Sequence, residues 1–272
     1  MKKPSFNRVC IVGVGLIGGS LGMAIKKRRL AKIVLGVARR KSTAEHALSR
    51  GALDVVLFDA SKGVRNADLV ILCAPVGTIL KQLKEIAPHL KRGCLVIDVG
   101  STKKKVLEAA KKHLKGISFV GCHPMAGSEK SGVEFADADL FENSVCYVTA
   151  KNSRADGFWK ALGAAPQLIS ADTHDRLVAK SSHLPHALAF SLLQSGTDLP
   201  AVSNPSLRNM ARLAKSNPEL WAEIFLTNQK PFLKALRSLQ KNMNSLANAI
   251  ASGNAKKICQ FIAKANAVAS KR

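Results

Sequence analysis

The stretch Val9 to Gly19 constrains this chain most. An apolar run, Val9 to Val12, reads as a buried strand. It leads directly into Gly13-Val14-Gly15-Leu16-Ile17-Gly18, a GxGxxG match, and then into a segment rich in Leu, Met, Ala and Ile that reads as a helix. Each glycine has a physical task. Gly13 permits a tight strand-to-helix turn, Gly15 lets a pyrophosphate approach the backbone, and Gly18 lets the helix pack closely on the strand. Amides at the start of the helix, from Leu16 and Ile17 onward, would then face phosphate charge. A basic start followed by an apolar run also resembles a secretory leader. Five glycines between Val9 and Ile25 and the lack of an A-x-A site argue against that, and the run is too glycine-rich and short for a membrane span.

Strand and helix patterns keep alternating after this turn. Strands are expected at 33–37, 55–58, 68–75, 95–99 and 118–121, with helices between them. Ser42 or Thr43 is expected to cap the second helix. Such alternation implies a Rossmann-type, doubly wound α/β parallel sheet whose ligands sit at the carboxyl edge of the strands. Gly13, Ala74-Pro75, Gly100-Ser101 and Gly121-Cys122-His123 fall on that edge. Past about residue 150 the apolar spacing becomes helical, at 172–195, 205–215, 218–250 and 255–269. The expected organisation is a dinucleotide-binding domain over 1–150 and an all-helical domain over 151–272. Pro185 and Pro231 should each kink or break a helix. The helices carry more apolar residues than a thin lid needs, so a homodimer through this part is expected.

A cofactor preference can be read at the end of the second strand. Dinucleotide-binding chains that take NAD usually place an acid there, about 20 residues past the glycines, to hold the ribose 2′-hydroxyl. Here the sequence is Val37-Ala38-Arg39-Arg40-Lys41-Ser42. A guanidinium suits a 2′-phosphate and a carboxylate would repel it. NADP is therefore expected over NAD, with Arg39, Arg40 and Ser42 near the phosphate and Ala74-Pro75 beneath the cofactor.

The chain has 42 Lys+Arg against 18 Asp+Glu, a formal charge of +24. The basic residues are spread along it and no nucleic-acid module appears, so the charge reads as solvated helix faces that would also attract anionic substrates. The six cysteines include no CxxC pair. They read as reduced core residues of a cytoplasmic protein, with no metal site.

Several further motifs follow in a fixed order: Asp98-Val99-Gly100-Ser101, His123-Pro124-Met125-Ala126-Gly127, Ser182-His183-Leu184-Pro185-His186 and Asn217-Pro218-Glu219-Leu220-Trp221. Together with the glycine turn, this order resembles the prephenate/arogenate dehydrogenase family of tyrosine biosynthesis, over nearly the whole chain. The resemblance implies an oxidative decarboxylation. A ring carbon gives hydride to the nicotinamide while the C1 carboxylate leaves as CO₂.

His123 matches the family's catalytic histidine, which takes or holds the C4 hydroxyl proton, and Ser101 a serine that orients it. Arg212 matches an arginine that binds a carboxylate of the dianionic substrate. His186 matches a substrate contact, and His183, one turn earlier, is either beside it in the site or structural. His174 and Asp175 read as helix-capping residues, Trp221 as packing against the site or core, and Glu129 as a gate or supporting acid. Relatives often carry an acid where this chain has Asn209, which leaves prephenate and arogenate both open; His186 inclines to prephenate. A 3-hydroxyacid or imine reductase with the same nucleotide half, and a non-catalytic NADP-binding regulator, are the remaining readings.

Overall fold

The computed structural model describes residues 5–127, 130–196 and 204–270. Eight strands form one sheet in the order β3-β2-β1-β4-β5-β6-β7-β8. Their order along the chain begins β1 (Phe6–Val12), α1 (Leu16–Lys27), β2 (Ala31–Val37), α2 (Lys41–Ser49), β3 (Val55–Leu57) and α3 (Ala60–Gly63). It continues β4 (Leu69–Leu72), α4 (Val76–Ile86), β5 (Leu95–Asp98), α5 (Lys104–His113) and β6 (Ser118–Pro124). β1 to β6 pair in parallel. The chain crosses the sheet between β3 and β4, so β1 and β4 flank the switch point where a doubly wound sheet opens a crevice.

Both faces of this sheet are covered, as the apolar strand runs require. Alternate residues separate the cores. Val9, Ile11, Leu69, Ile71, Leu95 and Ile97 enter one. Cys10, Val12, Val70, Leu72 and Val96 enter the other. The sheet does not end with the sixth strand. β7 (Val145–Val148) pairs antiparallel to β6, and β8 (Ala165–Leu168) follows α6 (Ser153–Ala161) and pairs parallel to β7. The sheet thus runs on to Leu168, beyond residue 150, where the sequence pattern turns helical.

The helical part opens with a single rod made of α7 (Ala171–Val178), a wide π turn (Ala179–His183) and α8 (Leu184–Gln194). Pro185 lies just after the π turn, at the first positions of α8. Its missing donor is absorbed where the ladder is already rearranged. α9 (Pro205–Ala214) and α10 (Pro218–Thr227) follow, then α11 (Gln229–Ala251) and α12 (Ala255–Ala269). The break expected near Pro231 falls at Asn228. Pro231 then sits in the first turn of α11, where no amide donor is needed. By chain compactness the molecule divides into residues 1–228 and 229–272.

No cysteine is paired. Burial pushes the Cys10 thiol up to about 12 and the Cys94 thiol up to about 11, as inert core groups require. Cys259 departs from the core reading: it is exposed on α12, a helix that buries none of its residues.

Candidate active site

The glycine turn is built as its spacing demands. Gly13 has φ +103°, and a Cβ there would meet the Cys73 carbonyl at 2.7 Å. A Cβ on Gly18 would lie 2.0 Å from the Gly13 carbonyl oxygen, so this glycine serves helix–strand packing. Gly15 differs from both. A Cβ there would meet nothing within 4 Å, and Gly15 caps α1 without any side-chain bond to the helix amides. The first turn of α1 carries no acid, so its amides and dipole are available to an anion.

This turn opens onto a cleft of about 650 Å³ lined by Gly13, Gly15, Ala74, Pro75, Arg39 and Arg40, and further by Ser42, Thr43 and His46. The structure corrects the role given to Ser42 and Thr43. Helix α2 starts at Lys41 with Arg40 in the capping position and no side-chain cap. Both hydroxyl residues therefore face the cleft beside the two arginines. Glu134 also lines it.

A second lobe of about 580 Å³ shares the wall made by Gly15, Cys73, Ala74 and Pro75. Leu16, Ile17, Gly100, Ser101, Ala126 and Gly127 line it from the sheet side. From the helical side come Ser182, His186, Arg212 and Trp221. His186 stacks on Trp221, with centroids 3.7 Å apart and planes 23° apart, and its Nδ1 donates to the Ser182 carbonyl at 2.9 Å. Burial holds the His186 imidazole below its ordinary value, and Arg212 adds to this. Among the described residues that wall this lobe, the charged ones are Lys130 and Arg212, both cations.

Helix α10 is fixed against the nucleotide half by its own side chains. Asn217 caps it, accepting from Leu220 N at 2.8 Å, with Pro218 in the first turn. The Glu223 carboxylate accepts from Gly77 N at 2.7 Å. Gly77 lies in the first turn of α4, immediately after the shared Ala74-Pro75 wall. Thr102 donates to Thr227 at 3.1 Å.

His123 lies one residue before the end of β6 and opposite Tyr147 of β7. It keeps part of its surface accessible. Its Nδ1 is 2.8 Å from Nε2 of His174, whose Nδ1 is 2.8 Å from Oδ1 of Asp175. His174 and Asp175 are buried. The Asp175 carboxylate accepts from the amides of Lys103 at 2.8 Å and Lys104 at 3.0 Å, so it caps the start of α5. Burial opposes its charge. The hydrogen bonds from His174 and the two amides outweigh this and hold its carboxyl below the usual range.

Below this chain lies a wholly buried ion pair, Asp98–Lys103. The Lys103 ammonium also donates to the Cys122 carbonyl at 2.7 Å, next to His123. Burial pushes His123 well below its ordinary value, and the neighbouring His174, Lys103 and His183 act in the same direction. Its imidazole is therefore neutral near pH 7.

Two family models cover most of the chain: prephenate dehydrogenase, nucleotide-binding domain, over residues 21–161, and prephenate dehydrogenase, dimerization domain, over residues 170–264. The chain belongs to the prephenate dehydrogenase family. A family member, the prephenate dehydrogenase of Lactococcus lactis, is 33% identical over 264 residues, covering 93% of this chain and 74% of that protein. The solved prephenate dehydrogenase of A. aeolicus, in complex with hydroxyphenyl propionate and NAD⁺, matches with a TM-score of 0.90 at 28% identity over 99% of both chains. The arogenate dehydrogenase of Synechocystis matches with a TM-score of 0.79 at 28% identity, over 97% of this chain and 99% of that one.

Within this family fold, most of the residues expected from sequence are brought together. Ser101, His186 and Arg212 line one lobe, Gly13, Arg39, Arg40 and Ser42 the other, and Gly15, Ala74 and Pro75 both. Gly18, His123 and His183 do not form cleft wall. His183 is buried at 1% exposure, with its Nδ1 3.2 Å from the Asn228 amide, and burial pushes it down to about 4. It is a satisfied interior histidine. No hydrogen bond joins Ser101 to His123. Glu129 lies outside the described residues. The capping expected of His174 and Asp175 holds for Asp175 alone, at the start of α5 and not on its own helix. Ser170 caps α7, accepting from Thr173 N at 3.2 Å, which leaves His174 for the contact with His123 and Asp175 for His174 and the α5 amides.

Proposed function

We propose that this chain catalyses the oxidative decarboxylation of prephenate to 4-hydroxyphenylpyruvate, with NADP preferred as hydride acceptor. The observation that carries this is the shared wall. A lobe built for a diphosphate and a lobe holding a guanidinium meet across Gly15 and Ala74-Pro75.

The residues fit a nicotinamide dinucleotide. Gly15 leaves open space where a Cβ would be, and the uncapped start of α1 offers amides to the diphosphate. When bound, the oxidised nicotinamide accepts a hydride from the ring carbon that bears the hydroxyl. Arg212 binds one substrate carboxylate as a planar fork. Ser101 and His186 offer neutral hydrogen-bonding groups in the same lobe. His123 takes the hydroxyl proton, and the C1 carboxylate leaves as CO₂ while its bonding pair enters the ring. Cations at Lys130 and Arg212 support the keto acid over the amino acid, whose ammonium would gain no partner from them.

Purified protein mixed with prephenate or arogenate and with NADP or NAD tests this directly by the absorbance of the reduced nicotinamide. Turnover of prephenate with NADP is expected to be fastest; no turnover of either substrate with either nucleotide overturns the proposal.

The NADP preference is supported by Arg39, Arg40, Ser42, Thr43 and His46 lining one end of the cleft, where a 2′-phosphate would meet two guanidinium groups. Substituting Arg39→Ala together with Arg40→Ala is expected to weaken NADP binding at least about tenfold more than NAD binding, as loss of charge-assisted bonds requires. Titration calorimetry with each nucleotide checks it, and equal losses for both would remove the clamp.

The chain is further proposed to act as a homodimer through residues 151–272. This is supported by the matching family description and by exposed Leu188, Leu192, Met243, Ile250 and Ile262. A cytoplasmic setting is supported by the unpaired cysteines. No helix among the described residues is long and apolar enough to cross a membrane.

A further inference from the structure

We propose that His174 and Asp175 are positioning residues that fix the tautomer of His123, so that its Nε2 carries the lone pair that accepts the substrate proton. The inference rests on the base role proposed for His123. It goes further by assigning two residues to that role through a third.

The argument is one of donors and acceptors. Asp175 is locked in place by the amides of Lys103 and Lys104, and its backbone carbonyl accepts from the Asn228 amide at 2.8 Å. An ionised carboxylate can only accept. The neighbouring Nδ1 of His174, 2.8 Å away, must therefore carry a proton. A neutral His174 then has a bare Nε2. The group 2.8 Å from that nitrogen, Nδ1 of His123, must donate. One proton remains for one nitrogen at each ring, so Nε2 of His123 is left as the acceptor. A histidine side chain in water prefers the opposite tautomer, with its proton on Nε2, which would place a donor where the reaction needs a base. The two-ring chain inverts that preference.

The other charged and titratable groups around His123 do not compete for its Nδ1. Lys103, preceding α5, is paired to Asp98 of β5 and donates to the Cys122 carbonyl. Tyr147 of β7 meets the His174 ring edge-on at 5.8 Å. His183 is engaged by Asn228. In the reaction the substrate O–H bond breaks and an N–H bond forms at Nε2. The imidazolium so formed is stabilised through His174 by the carboxylate, and the proton can return to the phenolate oxygen once the ring is aromatic. No reagent beyond the nicotinamide is needed.

Nitrogen-15 spectra of histidine-labelled protein test this without turnover. His123 is expected to be protonated on Nδ1 and bare on Nε2. His174→Phe keeps a ring against Tyr147 but removes the acceptor. In it, His123 is expected to revert to Nε2–H. The same variant should lower kcat on the order of tenfold to a hundredfold, less than the 10²–10⁴ that a general base itself contributes, with KM and nucleotide affinity unchanged. Asp175→Asn can keep an oxygen at the position shared by the Lys103 amide and His174 Nδ1 but removes the charge. Its acid limb should move to lower pH because the imidazolium loses its carboxylate. A wild-type His123 protonated on Nε2, or either variant with wild-type kcat and pH profile, overturns the proposal. If the wild-type protein turns over neither substrate, the function fails instead, and the spectra still decide the tautomer.

Discussion

Replacing His123 with Asn is expected to lower kcat by about 10²–10⁴-fold, the usual contribution of a positioned general base, while leaving nucleotide affinity unchanged. Asn keeps a polar group at the end of β6 and holds the strand pairing with Tyr147, so the loss should be chemical and not structural. The pH dependence carries a sign. Burial, reinforced by His174, Lys103 and His183, depresses the His123 pKa. The basic form of His123 therefore persists on acidification past the ordinary imidazole value of about 6.5. The acid limb of kcat is expected to fall below that value. Steady-state rates across a pH series for both proteins check this. An acid limb above 6.5, or a variant with unaltered kcat, would take the base role away from His123.

Replacing Arg212 with Ala is expected to act on binding instead. Arg212 is exposed at the mouth of the lobe on α9, opposite Ser101 and Gly127. Hydrogen bonds to a charged group are worth roughly 1.5–3 kcal/mol, so KM for prephenate should rise about 10- to 150-fold with a smaller change in kcat. Arg212→Lys keeps the charge but loses the planar fork, and should recover only part of the loss. If KM stays the same in Arg212→Ala, a different cation holds the carboxylate.

Much of this was readable before any fold was known, for a local reason. The glycine turn, the apolar strand runs and the arginines after β2 are contiguous in sequence, so their chemistry needs no tertiary information. β7 and β8 were not readable. β7 has four residues, and β8 is a short, largely exposed edge strand containing Pro166, a residue that argues against a strand and is tolerated at an edge. The partnership of His174 with His123 was equally hidden. The pair is 51 residues apart in sequence, and a His-Asp pair near a helix start reads locally as a cap. The one available signal was Ser170, a better capping residue four positions earlier, which leaves the pair without a local task. The contact of Glu223 with Gly77 spans 146 residues and leaves no local trace.

The wide turn at Ala179–His183 has an angular consequence. In an unbroken helix at about 100° per residue, positions 174 and 186 would point roughly 120° apart. A π turn absorbs about one residue, which brings the two to within roughly 20° of each other at the same rise per residue. A single rod can thus aim one imidazole at the end of β6 and another, three turns along, into the substrate lobe. Deleting one residue from that turn would convert it to regular helix and keep both directions, whereas inserting one would rotate one half of the rod by about 100° away from the other's target.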